Sequence, residues 1–554
     1  MILVASTSKP FAYTAKGTAR RQAVINEYDE EIEAMYSSAE STSSKVEPPV
    51  SWDETNTKGF IRDVVATVLK RHVDESADIF RFGCDRSDLI LRCTTNNTNT
   101  AHVPSLQATW IRNQIIHALR ATVGDRSESL PPNCIYQAPT IAELTKLVLL
   151  AAGTLQNGHA EDSKPRSQVL RDIVLQYTST FPARPNELLG SHPSRDVVLL
   201  TGTTGGLGAH ILFHLLRQSN VDRVYALNRT SASMKQQRDT FRRNGLEDSV
   251  LDSPKLRFLI GDLSQPSFGL DLSVYEEVDF NQGLNSYEPL LVGVRKLVEF
   301  ALSSPYSRAP SILFTGSMGV FRELPEIIPA LEEPITDPSI CIGPGYSESK
   351  WIAEEVLLAA RAKAGLSTVI ARLGQVCGGY NGYWNEREWF PAIVKSALHV
   401  KCLPSLEGDV DIAWVPAYEA ALVMTQLRDS NEPVVHIAHP KPTTWATILN
   451  TVATDLKVDL VSYTTWLSAL EEAYPPGDTP DAEKLRENPA LRLIDHFRTI
   501  EVGYGREPLG GVKMDVSKAL KEAPALDMPQ MTSEWAHKWM AAWRACRFLP
   551  PQAT

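Results

Sequence analysis

Tyr346 and Lys350 stand four residues apart where an amphipathic pattern (Trp351, Ala353, Val356, Leu357) begins. On a helix, residues at that spacing share a face, so the Lys350 ammonium can lie beside the Tyr346 phenol. A neighbouring positive charge lowers a phenol pKa and makes tyrosine a usable proton donor near neutral pH. Some thirty residues upstream, Ser317 closes the run Ser311-Ile-Leu-Phe-Thr-Gly-Ser317, which reads as a strand. At the C-terminal end of a strand, a serine can offer a hydrogen bond to a substrate carbonyl oxygen. A bare Y-x-x-x-K is common on solvated helices. What favours the catalytic reading is the segment that precedes it in the chain.

That segment is V-V-L-L-T-G-T-T-G-G-L-G, residues 197–208. Four apolar residues run into glycines at 202, 205 and 208, and the helical pattern of Ile211, Leu212, Leu215 and Leu216 follows at once. This predicts a buried strand, a tight turn and a helix N-terminus, the arrangement that cradles a dinucleotide pyrophosphate. The next strand, Arg223 to Asn228, runs into Arg229 where a carboxylate would hold the ribose of NAD. A guanidinium there suits the 2′-phosphate of NADP. From Asp196 to about Pro440, strands and helices alternate, which predicts an α/β fold with a doubly wound parallel sheet. The remainder, to Thr554, is mainly helical. Trp535, Trp539 and Trp543 mark one helix face there and are expected in a core.

The 554 residues allow three or four domains, and a net charge of −11 argues against a nucleic-acid surface. No apolar stretch is long enough to span a bilayer, and the N-terminal apolar run is too short for a secretion signal, so a cytoplasmic location is expected. Seven cysteines show no C-x-x-C pair and no metal-ligand spacing, and so read as scattered reduced thiols with no metal site.

The chain resembles the extended short-chain dehydrogenase/reductase superfamily. Within it, it looks most like the thioester reductase domain of fungal carboxylic acid reductases and other nonribosomal-peptide-synthetase-like enzymes. The carrying segments are T-G-T-T-G-G-L-G (201–208), G-D-L (261–263), G-Y-S-E-S-K-W (345–351), A-R-L-G-Q (371–375) and W-N-E-R-E-W-F-P (384–391). The last two are specific to that subgroup and lie where its substrate pocket and subdomain interface would be. The resemblance implies a Rossmann core at 196–440 and a helical substrate subdomain at 441–554. It also implies that Gly202, Thr204, Gly205, Gly208, Arg229 and Asp262 hold NADPH. Ser317, Tyr346 and Lys350 would then reduce a thioester carbonyl, with Lys350 also touching the nicotinamide ribose. The product would be an aldehyde, or by further reduction an alcohol.

Upstream, L-P-P-N-C-I-Y-Q-A-P-T-I-A-E-L (130–144) looks like the end of an acyl carrier domain, with Thr140 near a helix cap. S-L-Q-A-T-W-I-R-N-Q-I (105–115) looks like its second helix, whose Ser105 would receive 4′-phosphopantetheine from a phosphopantetheinyl transferase. The carrier-like domain is placed at 57–152, between linkers at 41–56 and 153–195. Residues 1–40 resemble the end of an adenylate-forming domain, with Lys16 in the place of its lysine. The rest of that domain is missing, so the chain is not expected to activate its own acid. The substrate would be an acyl thioester on a carrier arm, and the protein a monomer.

Two features depart from the family. The carrier motif F-x-x-G-x-D-S-L is split: F-R-F-G-C-D ends at Asp85 and S-L resumes at Ser105. Residues 86–104 are mostly polar and unpatterned, the size of a short retained intron, against a genuine loop insertion. Reads running continuously through codons 86–104 in most messages would rule the intron out. In addition, no apolar strand of the usual ~5–6 residues lies between Asp262 and Tyr287, where the fourth strand belongs. The expectation is a reductase core that lacks a central strand and folds poorly or is inactive. Two rivals therefore stand beside the thioester reductase: an inactive, truncated or mis-spliced remnant of a longer reductase, and a sugar-nucleotide epimerase or dehydratase.

Overall fold

The computed structural model describes residues 46–69, 71–75, 79, 111–112, 114–116, 118–119, 122, 134–138, 140–154, 164–186, 195–228, 233–261, 280–282, 287–325, 328–343, 345–406, 408, 410–473, 486–498, 507–508 and 511–552. The chain divides into two compact units, Met1–Ser163 and Lys164–Thr554. Lys16, the inserted residues 86–104, Ser105, Arg229 and Asp262 lie outside the described residues.

In the first unit, helices α1 (Glu54–Leu69) and α2 (Ile141–Ala152) pack against each other. Phe60, Ile61, Val64 and Val65 of α1 meet Ile141, Leu144 and Val148 of α2, as amphipathic spacing requires. Ile111, Ile115 and Leu119, spaced by four, join the same core. Thr140 caps α2 as expected: its Oγ1 accepts from the Glu143 N–H at 3.2 Å, and the Glu143 carboxylate accepts from the Thr140 N–H at 3.3 Å. Gly153, at φ +73°, ends the helix.

The second unit is built on a parallel sheet of seven strands. These are β1 (Asp196–Thr201), β2 (Val221–Asn228), β3 (Leu256–Ile260), β4 (Phe280–Gln282), β5 (Ser311–Ser317), β6 (Thr368–Leu373) and β7 (Val434–Ile437). Their order across the sheet is β7-β6-β5-β4-β1-β2-β3. This is the doubly wound arrangement, with its crevice where the order reverses between β1 and β4. Each face carries its own core. Leu212, Leu215 and Leu216 of α4 (Gly206–Arg217) lie on one face with Val423 and Met424 of α9 (Ala417–Gln426). Val294 and Val298 of α6 (Tyr287–Leu302) lie on the other with Trp351 and Val356 of α7 (Gly345–Ala364). β1 and β6 are buried almost throughout, as parallel strands covered on both faces must be.

The expected loss of the central strand is corrected. Phe280–Gln282 pairs with Val198–Leu200 of β1 on one side, and Phe280 and Asn281 pair with Ser311 and Ile312 of β5 on the other. The deletion shortens β4 to three residues and leaves the sheet continuous. A hydrophobicity pattern misses such a strand because D-F-N-Q holds one apolar residue, and its pairing comes from backbone groups that β1 and β5 would otherwise leave unpaired.

The stretch 153–195, read as a linker, is also corrected in part. Helix α3 (Arg166–Thr178) packs on the reductase-like core, burying Leu170 beside Ile173, Val174 and Tyr177. Arg295 donates to the Tyr177 carbonyl at 2.8 Å and Lys363 to that of Thr178 at 2.9 Å. The helix is polar on most of its surface, so composition alone resembles a linker.

Towards the C-terminus, helices α8 (Trp389–Val400), α10 (Trp445–Leu456) and α12 (Ser533–Ala545) enclose a third core. Trp539 and Trp543 of α12 are fully buried, as their spacing predicts. Trp384 stands at the centre of the cluster, 5.1 Å from both Phe390 and Trp539 between ring centroids.

Candidate active site

β1 ends at Thr201 and the chain turns through Gly202, which takes φ +72°. Gly205 donates to the Gly202 carbonyl at 3.0 Å and caps α4. A Cβ at Gly208 would fall 2.1 Å from the Gly202 carbonyl oxygen, so only glycine lets the helix approach the turn this closely. At Gly202 and Gly206 a Cβ would meet nothing within 4 Å. The first-turn amides of α4 have no partner inside the helix, and beside them lies open space. Those amides and that space fit a pyrophosphate of a dinucleotide.

Two residues that sequence reasoning passed over hold the turn from beneath. Gln237 donates to the Thr203 carbonyl at 2.7 Å and Thr240 to the Thr204 carbonyl at 3.2 Å, both from α5 (Ser233–Arg243). β2 ends at Asn228, immediately before Arg229, and the Asn228 side chain accepts from Thr203 Oγ1 at 3.3 Å.

Ser317, Tyr346 and Lys350 come together as expected. Ser317 is the last residue of β5, and its Oγ accepts from the Gly319 N–H at 3.1 Å. A Cβ on Gly319 would lie 3.3 Å from that Oγ and 3.5 Å from Tyr346 Cε1, so serine and tyrosine border the same glycine. Tyr346 is in the first turn of α7 and is 42% exposed. Lys350, one turn on, is buried, with its Nζ 5.8 Å from the Tyr346 ring centroid. Nζ donates to the Thr315 carbonyl at 3.0 Å. Burial pushes the Lys350 pKa down to about 8, against an opposing pull from the Glu354 carboxylate. Glu354 is itself paired with the buried Arg372 at 2.8 Å. A Cβ at Gly316 would stand 3.0 Å from both partners of that pair, so the pair braces the strand that carries Ser317.

Beside Gly319 and Ser347 opens a cavity of about 210 Å³, walled by Phe321, Trp389 and Trp414. Gln375 lines it too, accepting from Trp389 Nε1 at 2.8 Å and donating to Glu388 at 3.3 Å. Burial pushes the Glu388 pKa up to about 7. Gln375 ends A-R-L-G-Q, and Glu388 and Trp389 belong to W-N-E-R-E-W-F-P, so both segments converge beside the serine and tyrosine. Glu507 also lines the cavity, and nothing in the sequence pointed to it.

Comparison with known proteins agrees with this geometry. Over 99% of its length the chain is 36% identical to the adenylate-forming reductase Nps10 of Heterobasidion annosum, covering 51% of that protein. Over nearly its whole length the chain is thus similar to about half the sequence of fungal adenylate-forming reductases. Another relative, the carboxylic acid reductase of Neurospora crassa, is 27% identical over 97% of the chain and 51% of its own length. The chain spans about half the length of the curated relatives it matches. An NAD-binding family described as male sterility protein matches residues 200–282 and 320–424, and the AMP-binding enzyme C-terminal domain matches residues 1–40. Among solved structures, the terminal R domain from the myxalamid biosynthetic pathway shares the fold, with a TM-score of 0.57 at 23% identity. That likeness covers 70% of this chain and all of the R domain. A thiolation-reductase di-domain from an archaeal nonribosomal peptide synthetase is similar over 91% of the chain and 99% of its own length, with a TM-score of 0.53 at 16% identity. No described helix of the chain is long and apolar enough to cross a membrane.

Proposed function

We propose that this chain uses NADPH to reduce an acyl thioester, borne on a phosphopantetheine arm, to an aldehyde. The observation that carries the reading is that Ser317 and Tyr346 border Gly319 with Lys350 Nζ 5.8 Å from the tyrosine ring centroid, at the same end of the parallel sheet as the glycine turn. The bound dinucleotide supplies a hydride. The protein supplies the rest. Ser317 Oγ already accepts from Gly319, which leaves its O–H free to donate to the thioester carbonyl. Tyr346 delivers a proton to that oxygen as negative charge develops on it. The Lys350 ammonium beside the ring favours the deprotonated phenol left behind. Collapse of the resulting hemithioacetal expels the carrier thiol and gives the aldehyde.

Arg229 supports NADP over NAD, and Ser105 is the proposed attachment point for the arm. The match of residues 1–40 supports a piece of an adenylate-forming domain there, followed by a carrier-like domain at 57–152. The core at 196–440, extended back to Lys164 by α3, and the subdomain at 441–554 form the reductase. We read the protein as a cytoplasmic monomer that depends on a phosphopantetheinyl transferase.

The purified chain should oxidise NADPH in the presence of an acyl-pantetheine, with aldehyde detected by mass spectrometry. Tyr346→Phe should lower kcat/KM by about 10²–10⁴-fold while NADPH still binds. The three-residue β4 supports one rival, a chain that binds the cofactor without turnover. NADPH binding with no oxidation by any acyl thioester would establish that rival.

A further inference from the structure

The cavity beside the serine and tyrosine has Phe321, Trp389 and Trp414 in its wall, together with one carboxyl group whose bonding capacity is only partly used. Glu507 is only 8% exposed and lines the cavity. Its backbone is fixed by the Glu507 N–H donating to the Gly511 carbonyl at 2.8 Å. Gly511 is close-packed: a Cβ there would lie 2.8 Å from Met318 Cε and 2.9 Å from Glu507 Cβ. One carboxyl oxygen, Oε1, accepts from the Ala413 N–H at 3.2 Å, beside the wall residue Trp414. Among the described residues, the other oxygen has no hydrogen-bond partner and no cation within ion-pair reach.

Gln375, also in the wall, is already engaged: its amide donates to Val376 and Glu388 and its oxygen accepts from Trp389. Arg322 is exposed and lies 3.5 Å from Glu323. Ser347 is buried in the lining as well and offers a hydroxyl. Glu507 is the carboxyl group of the lining, with bonding capacity left over among the described residues.

We infer that Glu507 is a specificity-determining residue that hydrogen-bonds a neutral oxygen substituent on the acyl group, remote from its thioester carbon. The inference rests on the reductase reading for the identity of the acyl group. The Trp389, Trp414 and Phe321 walls suit a planar or compact acyl group. Burial pushes the Glu507 pKa up to about 8, with Asp411 raising it further and Lys513 opposing, so the group is a neutral acid at pH 7. A neutral carboxylic acid both donates and accepts, and so pairs with a hydroxyl. An acyl group without that hydroxyl leaves the acid unpaired in a dry wall, and sites built this way discriminate far better than apolar ones.

The test uses benzoyl-pantetheine and its 2-, 3- and 4-hydroxybenzoyl counterparts, with Kd from calorimetry and kcat/KM from NADPH consumption. At least one hydroxylated isomer should bind the intact chain about 10-fold or more tightly than benzoyl-pantetheine. Glu507→Leu should bring that ratio within about 3-fold, and Glu507→Gln, which still donates and accepts, should keep most of it. Equal binding of all four thioesters by the intact protein overturns the inference, whether or not Glu507→Leu folds. So does a preference that survives Glu507→Leu. If the preference is present in Kd while no thioester is reduced, Glu507 keeps its role and the reductase reading fails instead.

Discussion

Lys350 sits where two requirements conflict. The helix buries its amine against Phe314 and the Thr315 carbonyl, while the proposed chemistry needs the ammonium. Burial moves its pKa from the ordinary 10.5 to about 8, so the protonated fraction falls as pH rises through about 8. We expect kcat/KM to decline above pH 8, and the residual activity of Lys350→Met to lack that decline. An identical basic limb in the variant would remove Lys350 from the titration. Stability should move the other way. Between about pH 8 and 10.5 the unfolded chain holds a proton on this lysine that the folded chain has released, so this group makes folding more favourable as pH rises there. Opposite slopes for activity and stability would identify the lysine more surely than either alone.

Helix α3 shows how an element can carry more than its composition suggests. Its first residue, Arg166, reaches the carboxylate of Glu348, donating from Nε at 3.0 Å and from Nη2 in a second bond. Glu348 lies two residues after Tyr346, and its side chain is only 5% exposed. The pair therefore ties the segment that follows residue 163 to the first turn of α7. Because the guanidinium is half exposed, the pair contributes on the order of 1 kcal/mol, screened by solvent. Arg166→Ala should speed amide exchange in residues 166–170 and at the start of α7, with a small fall in Tm. Unchanged exchange in both helices would mean that Leu170 and its neighbours hold α3 without the ion pair. The glycine turn was legible as an element because strand, glycines and helix each leave a local signal. The short β4 and α3 were not, since one depends on its neighbours' backbones and the other on a few apolar residues among many polar ones.

At the largest scale, the aromatic core links the cavity beside Gly319 to the C-terminal helix. Trp414 and Trp389 face the cavity, Trp414 lies 6.0 Å from Trp539, and Trp539 lies against Gly378 and the turn that follows it. Trp539→Ala should cost about 3–5 kcal/mol, measured by denaturant unfolding. The indole Nε1 of Trp539 has no hydrogen-bond partner among the described residues, so Trp539→Phe should cost much less. Equal losses for phenylalanine and alanine would show that the N–H matters more than the volume. At this scale the sequence was informative about architecture and only partly about the pocket. Spacing by four placed Trp539 and Trp543 in a core, and the two segments that the resemblance put at a substrate pocket and subdomain interface contribute Gln375 and Trp389 to the cavity wall. Glu507 could not be found that way, because it reaches the cavity through a backbone pairing with Gly511 that no periodicity records.

The clasp formed by α3 also fixes where this protein could exchange parts with another. A seam placed at the start of β1 would strip the Glu348 carboxylate of its guanidinium and uncover Leu170's site on the core. A seam just before Lys164 would sever neither contact. Exchange of the part that precedes residue 164, natural or designed, is thereby constrained to the residues ahead of α3, and the helix travels with the parallel-sheet core.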